Sequence, residues 1–158
     1  MDNVNRIRVG HIAPRILLDD PDGKRIDSYS FKGKKNLIIV FHKGEKSRGC
    51  LDWLQELRKS SKKIELFNCI ILAIAVDQPR LMKKLKQKMD WDFPLLYDKR
   101  SETISAYGVL DSSSEKGEPH PATFVVDRLG IIRYRKVYSD YKEKSTVREI
   151  LLVLEGLT

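Results

Sequence analysis

The sequence has little cysteine and no long uninterrupted apolar segment. Only two of its 158 residues are cysteine, Cys50 and Cys69, which is not the disulfide framework of a small secreted domain. No stretch approaches the roughly 18 uncharged apolar residues that a membrane-spanning helix requires. The segment 1–10 shows neither an apolar core nor a small-residue cleavage site, so no secretory signal is visible. We therefore expect a cytoplasmic protein with no membrane partner.

Residues that bind metals or phosphate groups are also scarce. The three histidines and two cysteines form no closely spaced pair of the kind found in zinc sites. No glycine-rich loop of the phosphate-binding type occurs. We therefore expect neither a bound metal nor another cofactor.

Positive charge, by contrast, is in excess. The chain has 30 Lys and Arg against 22 Asp and Glu, a net charge of +8, which could attract nucleic acid or an anionic surface. The densest run of lysine, in residues 83–88, alternates with the apolar residues Leu81, Leu85 and Met89 at helical spacing. Because no aromatic residues accompany this run, we interpret it as the solvated face of an amphipathic helix and expect no nucleic-acid partner.

The chain is long enough to bury one hydrophobic core, and no repeat or low-complexity linker divides it. We therefore expect a single domain over residues 1–158. Apolar periodicity and turn residues predict the following elements in chain order. The first half has a β-hairpin around the turn 19–23, a buried strand at 37–41, a helix at 50–62, a strand at 70–76 and a helix beginning near Pro79. The second half has a short strand at 93–97, a short helix at 101–108, two strands at 123–126 and 131–134, and a final helix that starts with the capping-box pair Thr146 and Glu149. This order indicates an α/β fold with a central mixed β-sheet flanked by helices.

Cys50 lies in the first turn of a predicted helix, directly after a buried strand. The unpaired N–H groups and the positive end of the helix dipole there favour a thiolate, which is the nucleophilic form of cysteine. Ser47 is placed to cap the helix or to donate its hydroxyl to an anion. Arg48 adds positive potential, and Gly49 permits close backbone approach. On spacing alone, a reactive thiol and a cysteine that merely packs as a small hydrophobe stay equally open.

The remaining cysteine and histidines have simpler interpretations. Cys69 begins an apolar run, so we expect a buried structural thiol that does not form a disulfide with Cys50. His42 follows a strand that ends near Cys50, where a structural role and a role as base both stay open. His120 precedes Pro121 in a polar loop and is expected to be exposed.

Six short segments follow one another in an informative order. They read V-G-H-I-A-P at 9–14, D-G-K at 22–24, K-G-K at 32–34, F-P-L-L-Y-D at 93–98, A-Y-G-V at 106–109 and P-A-T-F-V-V-D-R-L-G at 121–130. Together they resemble the peroxiredoxin superfamily, the alkyl hydroperoxide reductase and thiol-specific antioxidant group, over roughly residues 8–156. The resemblance implies a thioredoxin-like fold (a redoxin domain) with an N-terminal β-hairpin extension.

The active-site motif of this family is P-x-x-x-T/S-x-x-C, whose last two signature positions are matched by Ser47 and Cys50. Lys43 stands where the motif has proline, and Pro121 stands where the family has an arginine, for which Arg48 and Arg128 are the candidate replacements. The resemblance implies that the Cys50 thiolate reduces hydrogen peroxide or alkyl hydroperoxides. It also implies an external thiol reductant, thioredoxin-like or glutaredoxin-like, because no resolving cysteine lies in the helix after Cys50.

Pro121 also resembles the cis-proline of thioredoxins and of a peroxiredoxin-like subgroup that carries the P-A-T-F sequence. This resemblance predicts a cis peptide bond between His120 and Pro121, with the proline facing the Cys50 loop and His120 within polar reach.

Two other functions remain open at this stage. One is a slow thiol redox sensor in which a partner responds to the oxidation of Cys50. The other is a non-catalytic thioredoxin-fold binding module that uses its basic surface. A homodimer also stays open.

Overall fold

The computed structural model describes residues 7–139 and 143–157. The strands are β1 Leu17–Asp19, β2 Arg25–Asp27, β3 Asn36–Phe41, β4 Cys69–Ala75, β5 Leu95–Tyr97, β6 Ala122–Val126 and β7 Ile132–Val137. The α-helices are α1 Arg48–Lys59, α2 Ser61–Glu65, α3 Pro79–Met89, α4 Glu102–Ala106 and α5 Val147–Glu155, and a 3-10 helix spans Ser28–Phe31. The predicted order of strands and helices is confirmed.

All seven strands form one sheet in the order β2-β1-β5-β4-β3-β6-β7. The central pairs β3–β4 and β4–β5 are parallel, whereas β6 pairs antiparallel with both β3 and β7. The hairpin β1–β2 extends the sheet at the other edge. The sheet is therefore mixed, as predicted.

The continuous apolar run of β3 is explained by burial on both faces of the sheet. Ile38 and Val40 pack on the face that α1, α3 and α5 cover, while Ile39 and Phe41 point to the opposite face. Phe41 there meets the ring of Tyr107 at 5.3 Å between centroids. Because every β3 side chain is buried, the end of this strand is a rigid base for the loop that follows it.

The predicted helix at 50–62 is wrong in its extent. Ser47 caps α1 so that the helix already begins at Arg48, and the backbone leaves helical geometry at Ser60, with ψ of 11°. Serine favours such breaks because its hydroxyl competes for backbone hydrogen bonds. A separate short helix, α2, then begins at Ser61.

The short helix predicted at 101–108 is present but spans only Glu102–Ala106, and the predicted starts of α3 and α5 hold. The capping box between Thr146 and Glu149 is present at the start of α5. In α3, Met82 and Leu85 are buried while Lys83 and Lys84 are exposed, which confirms the amphipathic interpretation of the lysine run. Among the residues described, no helix has the length and apolar character needed to cross a membrane.

Candidate active site

Cys50 lies in the first turn of α1, at the end of the sheet where β3 finishes. Its side chain is buried, with 2% of its surface exposed. The Ser47 hydroxyl oxygen caps the helix by accepting a hydrogen bond from the Cys50 N–H at 3.4 Å. The backbone N–H of Lys43 donates to Cys50 Sγ, also at 3.4 Å. The sulfur is therefore enclosed between the helix start and the loop 42–47.

His42 is buried at the start of this loop and fixes its turn. Its Nδ1 accepts a hydrogen bond from the Gly44 N–H at 3.1 Å, so the neutral ring carries its proton on Nε2. That Nε2 has no hydrogen-bond partner among the described residues. Burial lowers the pKa of His42 to about 4. The ring is thus neutral near pH 7 and adds no positive charge to the site.

This low pKa predicts a pH-dependent loss of stability. An unfolded His42 binds a proton below about pH 6.5, whereas the folded one does so only near pH 4, so the unfolded state binds more protons between these values. We expect the free energy of unfolding to fall by about 3 kcal/mol as pH drops through this window, measured by urea denaturation. His42→Asn retains an acceptor for Gly44 and should flatten this slope. An unchanged slope in the variant would contradict the assignment of His42 as buried and neutral.

A second group holds the same loop from the side of β4. Asp77, just beyond β4, accepts a hydrogen bond from the Glu45 N–H at 3.0 Å. Gly44 has φ of +78°, and a Cβ at this position would collide with the Asp77 carboxylate. A side chain at residue 44 would therefore strain the backbone and would have to displace the Asp77 carboxylate that holds the loop.

The polar residues 111–118, hereafter the 111–118 loop, are tied to the Cys50 loop by two ion pairs. Lys43 Nζ lies 3.0 Å from Asp111 Oδ2, and Lys46 pairs with the buried Glu118. Hydrogen bonds from Ser113, together with the Lys43 ammonium, hold the pKa of Asp111 well below its usual range. Asp111 is therefore ionised at neutral pH, and the pair with Lys43 persists there.

The predicted cis peptide bond between His120 and Pro121 is wrong. The bond is trans, as are all peptide bonds of the described ranges. In this form the Pro121 carbonyl accepts from the Tyr138 N–H at 3.0 Å, and the next residue, Ala122, pairs with Phe41 in the sheet. The proline thus leads directly into β6, a role that the trans form, the commoner state of proline bonds, fulfils. Pro121 does lie at the same end of the sheet as Cys50.

His120 is partly exposed, with its Nε2 4.0 Å from Asp111 Oδ1. It therefore belongs to the surroundings of the 111–118 loop. The prediction that His120 is exposed is therefore only partly correct. Its backbone N–H donates a hydrogen bond to the Val109 carbonyl.

The two candidate replacements for the family arginine lie apart from each other. Arg48, in the first turn of α1, is 90% exposed and pairs with Asp52 at 3.5 Å. Arg128 donates its N–H to Asn36 Oδ1, at the opposite end of β3 from Cys50. The six residues of β3 span five residue steps, which separates its two ends by roughly 17 Å. The structure therefore does not bring Arg128 to the site, and the suggestion that it replaces the arginine is wrong.

A buried polar contact that the sequence did not reveal holds α1 against β6. The Trp53 indole N–H donates to Thr123 Oγ1 at 3.0 Å, and both side chains are fully buried. The Lys144 ammonium lies 4.8 Å from the centre of the Trp53 ring and pairs with Glu56. Trp53 comes one helical turn after Cys50 in the sequence, and this spacing could have indicated that Trp53 supports the start of the helix.

Cys69 is buried, as predicted, with 3% of its surface exposed. It is the first residue of β4 and pairs with Asn36, at the end of the sheet away from Cys50. Burial raises the pKa of its thiol to about 12. Cys69 is therefore a protonated, structural thiol at neutral pH. Within residues 7–139 and 143–157, no cluster of three or more His, Cys, Asp or Glu could hold a metal ion.

The sequence and the fold match those of known proteins. Residues 9–135 match the model of the AhpC/TSA family. The chain is 31% identical over 153 residues to alkyl hydroperoxide reductase E of Mycobacterium tuberculosis (strain ATCC 25618 / H37Rv), and the match covers 96% of each protein. It is 26% identical over 143 residues to peroxiredoxin Bcp of Escherichia coli (strain K12), and this match covers 88% of the chain and 90% of the Escherichia coli protein.

The fold is also that of a solved structure. Peroxidoxin BcpB from Mycobacterium tuberculosis superimposes on 97% of this chain and 99% of its own, with a TM-score of 0.84 at 18% identity. The predicted thioredoxin-like fold of the peroxiredoxin type is thereby confirmed.

Proposed function

The chain belongs to the AhpC/TSA family, and on this premise we propose that Cys50 is the thiol through which it reduces hydrogen peroxide or alkyl hydroperoxides. One observation carries the assignment: Cys50 combines a place in the first turn of α1 with a hydrogen bond to its sulfur from the loop 42–47. Cys69 has neither feature and a pKa that keeps it protonated. Membership of this family also confirms that the protein is an oxidoreductase enzyme of the peroxiredoxin type.

The proposed reaction is a two-electron transfer at sulfur. The Cys50 thiolate attacks one oxygen of the peroxide, so that an S–O bond forms and the O–O bond breaks. The departing oxygen takes up a proton and leaves as water or an alcohol, while sulfur is oxidised to a sulfenic acid. The Ser47 hydroxyl and the N–H groups at the start of α1 would stabilise the charge that develops on the departing oxygen.

Two external thiols complete the cycle. The first condenses with the sulfenic acid, forming a mixed disulfide and releasing water; the second attacks that disulfide and restores the Cys50 thiol. An external reductant is proposed because Cys69 lies at the far end of the sheet. A thioredoxin-like or glutaredoxin-like protein supplies this chemistry, and we propose that the enzyme works in the cytoplasm.

We expect Cys50 to be the residue that peroxide modifies first. Mild hydrogen peroxide followed by a sulfenic-acid probe and peptide mass spectrometry should place the adduct on Cys50. A peptide pair that links Cys50 to Cys69 should be absent, because a disulfide needs Cα atoms within about 7 Å. Preferential labelling of Cys69 would contradict the assignment.

A further inference from the structure

Lys43 occupies the position at which the active-site motif of the family has proline. A proline has no backbone N–H, so a chain with the family motif cannot offer a donor there. In this protein the Lys43 N–H exists and donates to Cys50 Sγ at 3.4 Å. The departure from the motif therefore adds a direct contact to the proposed reacting atom.

We propose that Lys43 holds the Cys50 sulfur in its reactive form. Its backbone N–H donates a hydrogen bond that is stronger to the thiolate than to the thiol, and its side chain fixes the position of that N–H. This inference rests on the assignment of Cys50 as the reacting thiol.

The hydrogen bond matters because the sulfur is almost wholly removed from water. A charge that is 2% exposed loses most of its hydration and is costly unless protein donors replace the water. Hydrogen bonds to an ionised acceptor favour the ionised form. The Lys43 N–H therefore shifts Cys50 towards the thiolate, the state that attacks peroxide.

The Lys43 side chain fixes the position of this N–H. Its ammonium is only 23% exposed and pairs with Asp111, whose side chain is 16% exposed. Asp111 is itself held by the N–H and the hydroxyl of Ser113. A second pair, Lys46 with Glu118, connects the same two loops. The segment that carries the Lys43 N–H is thus anchored against the 111–118 loop.

A matched pair of variants separates the N–H from the ammonium. Lys43→Met/Asp111→Asn keeps the N–H, whereas Lys43→Pro/Asp111→Asn removes it, and both leave the local charge balance of the wild type unchanged. Cys69→Ser in all proteins confines the thiol chemistry to Cys50. The reactivity of Cys50 is measured at neutral pH as the rate of alkylation by iodoacetamide and as the rate of oxidation by hydrogen peroxide.

We expect the proline variant to react with iodoacetamide and with hydrogen peroxide about tenfold more slowly than the methionine variant, because a smaller fraction of its Cys50 thiol is ionised. Equal rates in the two variants, or a faster reaction of the proline variant, would overturn the inference.

A measurement on the protein with an unchanged Lys43 covers the case in which the proline variant does not fold. In a ¹⁵N-labelled protein, the Lys43 amide proton should shift along the titration curve of Cys50, and Cys50→Ser should abolish this transition. An amide that does not follow the titration would refute the hydrogen bond. The amide measurement does not require turnover, so a failure of Cys50 as the peroxidatic residue would be recognised separately, by peroxidase activity retained in Cys50→Ser.

Discussion

Replacement of Cys50 by serine is expected to abolish hydroperoxide reduction, lowering the rate by more than about a hundredfold. A serine hydroxyl is almost wholly protonated at neutral pH and does not pass through a sulfenic acid, so the first step of the cycle is lost. The substitution exchanges one buried atom and should leave the fold intact. The measurement is peroxide consumption in the presence of an external dithiol, with far-UV circular dichroism as the check on folding.

Cys69→Ser is the matched control, because it makes the same change at the other cysteine. Its pKa of about 12 keeps the Cys69 thiol protonated, and β4 places it at the far end of the sheet from Cys50. We expect this variant to retain peroxidase activity within about twofold of the wild type, since no step of the proposed cycle uses Cys69. Activity retained in Cys50→Ser and lost in Cys69→Ser would reverse the assignment.

Trp53→Ala is expected to lower the free energy of unfolding by about 3–5 kcal/mol, the cost of removing a large aromatic side chain from a packed core. Trp53 is fully buried between α1 and the sheet, and its indole N–H satisfies Thr123 Oγ1 in β6. The substitution therefore creates a cavity and also leaves a buried hydroxyl without its donor. Urea denaturation followed by circular dichroism measures the loss.

Leu66→Ala provides the comparison for this stability measurement. Leu66 lies at the end of α2 and is 84% exposed, so its truncation opens no cavity. We expect a change within about 0.5 kcal/mol. If Trp53→Ala were as mild as Leu66→Ala, the contact between α1 and β6 would not be a main support of the helix that carries Cys50.

Features that depend on neighbouring residues could be predicted from the sequence. The continuous apolar runs of β3 and β4 indicate strands buried on both faces, because a strand with one face in water would alternate apolar and polar residues. Thr146 and Glu149 predict the start of α5, since a capping box closes within four residues. The position of Cys50 at a helix start follows in the same way from Ser47 and the strand before it. The order of these elements, with the family resemblance, was sufficient for the fold.

The contacts that complete the site join residues far apart in the chain, and only the tertiary structure decided them. Lys43 meets Asp111 and Trp53 meets Thr123 because antiparallel pairing brings β3 and β6 together, which no local pattern encodes. The same pairing sends Arg128 to the far end of β3. Pro121, with a trans peptide bond before it, directly precedes β6. The sequence and the family resemblance thus pointed to Cys50 as the candidate thiol and to the helix that carries it, whereas the groups that surround the sulfur depend on which strand ends share one edge of the sheet.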